Sequence, residues 1–248
     1  MSTPDGGRWT PRPAYSDHVA IHPRYDAAHV FRLALADALT QAGPDARTLC
    51  TGWTTADLAA HLYVRENDPL SLPGIAGLPG PAGPAAQRLT TRSMERALTR
   101  HGYQGVVDLF RAGPRPWSVW RAPQLDRIGN ALEYFVHLHD VTDAVPHGGN
   151  DPVGSDRGLS QRLRDELWHR MPPLATMLLR GSPAGVQLER RDAPHPSRII
   201  ARRGLPIVTA RGSAPQLALW MFGRHARVEL VGDVEPLAAV STLVASGV

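Results

Sequence analysis

The stretch LEYFVHLHD, Leu132–Asp140, sets two carboxylates and two imidazoles among Leu, Tyr, Phe and Val within two or so helical turns. Burying such groups is costly unless each finds a partner. At about 100° per residue, Leu125, Ile128, Leu132 and Val136 form one apolar stripe. Glu133, His137 and Asp140 form a second stripe beside it, at i, i+4 and i+7. A helix so patterned packs its apolar stripe in a bundle and turns the polar one toward an enclosed cavity. Glu-x-x-x-His also aims a carboxylate oxygen and an imidazole nitrogen at one point from adjacent turns. Both suit Zn²⁺ or another divalent first-row ion.

A third donor comes from DLAAHL, where His61 borders the apolar face built by Leu58 and Leu62. Two helices of one bundle can bring His61 to Glu133 and His137, a three-ligand set with positions left open for water or substrate. Asp140, one turn past His137, is placed to hold the other ring nitrogen. Glu-x-x-x-His also arises by chance in a chain with 11 histidines, so spacing alone leaves a solvated polar face as an open reading. His139 falls among apolar positions and reads as a core histidine. His18, His22, His147, His169 and His195 read as surface or loop residues.

Working outward, the N-terminal residues 1–24 are rich in Pro, Gly and polar groups and read as an extended arm. Helical spacing begins at Asp26 and stops at Gly43-Pro44. A second helix follows Thr54 or Thr55 as cap, with Asp57 in its first turn. PLSLPGIAGLPGPAGPAA, 69–86, reads as a long Pro/Gly loop, a possible lid. Helices are expected at about 85–100 and 103–112, from Pro123 to about Ala144, and over 157–179. Then the pattern changes. AGVQLERR, SRIIARR and PIVTARG read as strands, SAPQLALWMFGR as a helix and ARVELVGD as a final strand. The fold class expected is α+β: a helical bundle over 25–180 and a small α/β domain over 181–248.

The chain of 248 residues is 42% hydrophobic and 20% charged, with a formal charge of +4. All 27 cationic side chains are arginine, scattered and interleaved with acids, so no nucleic-acid partner is expected. No apolar run approaches a membrane span and no signal-peptide core opens the chain, which points to a cytoplasmic protein without membrane attachment. Cys50 is the only cysteine. That excludes an internal disulfide and a multi-cysteine metal site. Cys50 reads as a packed structural residue, set apart from the candidate metal position.

LCTGWTTADLAAHLYVRE, then LEYFVHLHDV, then LALWMFGR with VELVGD, resembles the mycothiol-dependent maleylpyruvate isomerase family across about 26–236. Within it the chain is closest to a branch described only as metal-binding. The resemblance implies a DinB-like four-helix bundle and a sterol-carrier-like C-terminal domain. It implies a divalent metal, zinc by preference, held by His61, Glu133 and His137, with Asp140 behind His137. Mycothiol is implied as a thiol cosubstrate acting on a small-molecule electrophile, by cis-trans isomerisation or thiol transfer. A Leu-x-Gly-Arg motif of the family corresponds to MFGR and implies Arg224 as a catalytic residue for an anionic substrate. The arm and the 69–86 loop have no counterpart in that pattern. A non-enzymatic metal- or ligand-binding module on the same bundle is the competing reading.

Overall fold

The computed structural model describes residues 26–71, 83–116, 118, 129–144 and 158–246. Helix α1, Ala27–Ala42, buries Phe31, Leu35 and Leu39 at helical spacing and ends at Gly43, whose φ of 75° is the left-handed conformation that glycine adopts without strain. Helix α2, Thr55–Asn67, opens on a reciprocal capping box. The Thr54 N–H donates to Asp57 Oδ2 at 2.9 Å, and the Asp57 N–H donates to the Thr54 hydroxyl oxygen at 3.3 Å. This start fixes the phase of α2, and therefore the direction of His61 two turns later.

A 3-10 turn, Pro69–Ser71, follows α2, and helix α3 spans Gly83–Ala112. The long loop expected through residue 86 is thus shorter, since helical turns begin at Gly83; residues 72–82 lie outside the described set. Gly102, at φ 66° and ψ 170°, breaks α3 internally, which accounts for the two helices expected there. Helix α4, Ala131–Thr142, carries the quoted stretch. Its expected beginning at Pro123, with Leu125 and Ile128, lies outside the described residues, as does the N-terminal arm. Helix α5, Gln161–Leu178, is capped by Ser160 and starts a turn later than the expected 157.

The C-terminal part is a mixed sheet of β1 (Gly185–Arg190), β2 (Ser197–Arg202), β3 (Ile207–Gly212) and β4 (Glu229–Val231) in the order β2-β1-β3-β4. The β1/β2 and β3/β4 pairs are antiparallel, and β1/β3 is parallel. Leu188, Ile199, Ala210 and Leu230 share one face across the register and pack into the core. Helix α6, Ala214–Met221, is buried along its whole length against the sheet and α5. Helix α7, Val234–Ala245, was not expected from the sequence. It buries only Val240 and Val244, so its apolar periodicity is weak. The molecule is α+β, a helical N-terminal region followed by a mixed four-stranded sheet with helices. No described helix is long and apolar enough to cross a membrane.

The helical core holds an unexpected polar network. Arg32 of α1 donates to Glu66 of α2 at 2.7 Å, to the Phe110 carbonyl at 2.9 Å and to the Tyr134 hydroxyl at 2.8 Å. Tyr134 in turn donates to Glu66. Burial pushes the Glu66 carboxyl up, and the Arg32 guanidinium opposes that shift. Breaking such a buried pair on one side is strongly destabilising, so the network ties α1, α2 and α4 in one register. That register positions the site.

Candidate metal centre

Helix α2 presents His61 and, one turn on, Arg65; α4 presents Glu133, His137 and Asp140. Their side chains meet at a partly buried point. His61 Nε2 lies 3.5 Å and His137 Nε2 3.9 Å from the same oxygen, Glu133 Oε1. Donor atoms of the three residues all lie within 4.8 Å of one another. Two ligands each about 2.1 Å from a zinc ion in tetrahedral geometry stand about 3.4 Å apart, so the spacing fits one shared ion with small adjustment.

The other oxygen of Glu133 is occupied. Arg65 donates to Oε2 at 2.8 Å and to Asn130 Oδ1 at 2.5 Å. This leaves Oε1 as the ligand oxygen turned to both histidines. Burial pushes the Glu133 carboxyl up, but the Arg65 charge and the His61 hydrogen bond outweigh it, bringing the group down to about 2. Glu133 is therefore a carboxylate at neutral pH. Burial pushes His61 below its ordinary value, favouring the neutral imidazole a metal requires. Trp53 closes one side, its ring centroid 5.0 Å from that of His61.

Asp140 stands behind His137. Its Oδ2 lies 3.0 Å from His137 Nδ1. Burial pushes the Asp140 carboxyl up, but hydrogen bonds from Arg224 and His137 hold it well below the usual carboxylate range. An ionised carboxylate only accepts, so Nδ1 carries the proton and Nε2 is left with a lone pair facing Glu133 Oε1. His137 Nε2 and Glu133 Oε1 thus face each other as acceptors beside His61, whose contact to Oε1 is the one donor there among the described residues. A divalent cation held by all three is a chemistry that suits the set.

Arg224 reaches this assembly from the C-terminal part. Gly223, at φ 70°, lets the chain reverse after α6. The Gly223 N–H donates to the Trp220 carbonyl at 2.9 Å and the Arg224 N–H to the Leu219 carbonyl at 3.0 Å, a Schellman end. The Gly-Arg pair is therefore a helix cap, and its arginine is far from a surface charge. Arg224 Nε and Nη2 donate to Asp140 Oδ1 and Oδ2 at 2.6 and 2.8 Å, and Nη1 donates to the Phe222 carbonyl at 2.8 Å. The fork that the sequence reading gave to a substrate carboxylate here grips Asp140.

Cys50 corrects another expectation. Instead of lying apart, its Sγ is 3.1 Å from Asp140 Oδ2, 3.8 Å from His137 Nδ1 and 3.6 Å from Arg224 Nη2. The turn before α2 and α4 are tied by the Leu49 N–H, which donates to the Asp140 carbonyl at 2.9 Å. Cys50, His137 and Asp140 form a second group with metal-ligand spacing, but the Arg224 cation already neutralises its carboxylate. Burial, then the Asp140 charge, push the Cys50 thiol up to about 12. The thiol stays protonated and donates to Asp140, a poor nucleophile beside the centre.

His139 is buried, with Nδ1 3.2 Å from Asp143 Oδ2; His169 and His195 are exposed. His18, His22 and His147 lie outside the described residues. Sequence reasoning missed Arg65, although its position four residues after His61 puts it on the same face of α2.

Residues 25–142 match the family described as the mycothiol maleylpyruvate isomerase N-terminal domain. That segment contains His61, Glu133, His137 and Asp140, and Arg224 lies beyond it. A crystal structure of the mycothiol-dependent maleylpyruvate isomerase is similar at 18% identity and a TM-score of 0.49, covering 85% of this chain and 92% of that one. A histidine-to-alanine mutant of that isomerase gives 17% identity and a TM-score of 0.47 over the same shares. No curated protein matches the chain.

Proposed function

We propose that the chain binds one divalent ion, zinc by preference, through His61, Glu133 and His137, and uses it with mycothiol on a small electrophile. The observation that carries the reading is the convergence of two imidazole Nε2 atoms on the single oxygen Glu133 Oε1. The family of residues 25–142 supports the choice of thiol. When bound, the ion supplies Lewis acidity that favours the thiolate form of a thiol, the nucleophilic form. A thiolate so favoured would suit addition to an activated double bond. Its expulsion would then give isomerisation, and protonation of the adduct, by the proton the thiol gave up, would give thiol transfer.

The chain's own residues orient and tune. Arg65 holds Glu133 charged and turned by one oxygen toward the histidines. Asp140 fixes the His137 tautomer, and Arg224 fixes Asp140. Arg224 spends its fork on Asp140 and so acts through that carboxylate, as a positioning residue for His137. Cys50 supplies no nucleophile. The test is consumption of maleylpyruvate or a model electrophile by the metal-loaded and metal-free protein, with and without mycothiol. Turnover only with both present supports the reading. Metal binding without any thiol-dependent turnover supports the non-enzymatic module instead.

A further inference from the structure

The outer face of the sheet is built as an interface. Across the register, Ile200 of β2, Gln187 of β1, Thr209 of β3 and Val231 of β4 lie in one row on the side away from the core. Of the eight exposed large hydrophobic residues among those described, five gather here or at the adjoining end: Ile200, Leu205, Ile207, Val231 and Val234. Leu205 and Val234 are 83% and 87% exposed. Single exposed apolar residues are ordinary, whereas a gathered patch marks a contact surface.

Charge divides the patch by edge. The β2 side carries exposed Arg202 and Arg203, and the β4 side carries exposed Asp233 and Glu235; Arg198 and Glu229 pair within the sheet, with Glu189 and Arg211. A two-fold axis parallel to the strands, between two stacked faces, lays the β2 edge of one copy over the β4 edge of the other. Each basic edge then meets an acidic one, twice. Ile200 and Val231 lie on the edge strands, Gln187 and Thr209 between them, and Leu205, Ile207 and Val234 at one end of the face. A four-strand face is about 19 Å wide and at most about 20 Å long, under about 400 Å² per copy, which is below the range of stable interfaces and fits only a weak pair. We infer that the chain forms a weak two-fold dimer through this sheet face, with a second copy as the occupant.

Sedimentation velocity of the full chain from about 1 to about 200 µM covers the range for such an interface. The expected result is a concentration-dependent monomer–dimer equilibrium. Replacing the exposed apolar side chains together, Ile200→Thr, Leu205→Ser and Val234→Ser, should raise the dimer Kd about tenfold or more. Arg202→Glu with Arg203→Glu in one chain, and Asp233→Arg with Glu235→Arg in another, should each abolish self-association. Mixed at equal amounts, these two charge-reversed chains should pair again, because their altered edges are complementary; recovery also shows that both are folded. A wild-type monomer throughout the range overturns the inference. So does a dimer whose Kd ignores these substitutions, or a charge-reversed mixture that fails to pair.

Discussion

Asp140→Asn removes one charge and keeps the shape of the side chain. Asp140 is fully buried and accepts from Arg224 at 2.6 and 2.8 Å, from His137 at 3.0 Å and from Cys50 at 3.1 Å. An amide cannot serve all of them. With its oxygen toward His137, its NH₂ meets the Arg224 Nε–H, donor against donor. Flipped, its NH₂ meets His137 and forces the ring into the tautomer whose Nε2 carries the proton and cannot ligate. Metal affinity should fall about 10–100-fold, which is about 1.4–2.7 kcal/mol. The metal-free fold should lose about 1–3 kcal/mol, at the modest end because Arg224, 22% exposed, can turn to water. Competition with a chromogenic zinc chelator gives the first number and urea unfolding the second. An affinity within twofold of wild type refutes the link from Asp140 to His137. Complete loss of metal, as in His137→Ala, makes Asp140 a ligand itself.

The Cys50 thiol, held near 12, should react with a disulfide reagent at pH 8 on the order of a thousandfold slower than a free cysteine; reaction at the free rate refutes its burial against Asp140. Cys50→Ser should keep both metal content and any mycothiol-dependent turnover, and turnover that disappears would make Cys50 the nucleophile. Glu133 has a depressed folded-state value of about 2, so its stabilisation is present above about pH 4 and is lost as pH falls through the folded value. Metal-free wild type should therefore lose stability over that window, and Glu133→Gln should lack this component of its acid unfolding curve. Arg65→Met removes the main charge opposing burial of Glu133, so metal affinity should become pH-dependent at higher pH than in wild type; coincident pH profiles would refute the clamp.

The helices and strands were legible because their signals are local. Gly43-Pro44, the Thr54 and Asp57 pair and the strand alternation each act within a few residues. Helix α7 was hidden because only Val240 and Val244 enter the core. At the site, His61, Glu133 and His137 could be placed on common faces from periodicity, and the structure brings them together. Cys50 could not. Sequence distance along α2 says nothing about the preceding turn, which folds back so that the Leu49 N–H reaches the Asp140 carbonyl. Arg224 was found as a motif, yet its grip on Asp140 depends on how the sheet and its helices sit against α4. Arg32 carried no local signal of its own, and only the packing of α1 against Glu66 and Tyr134 shows that it is buried.

Titration of Zn²⁺ into metal-free protein by calorimetry, for wild type and for a Glu133→Ala, His137→Ala double variant, tests the metal centre most directly. One ion per wild-type chain and no specific binding in the double variant are expected, with both chains equally folded by circular dichroism. An undiminished single-site isotherm in the double variant would place the metal elsewhere and contradict the assignment.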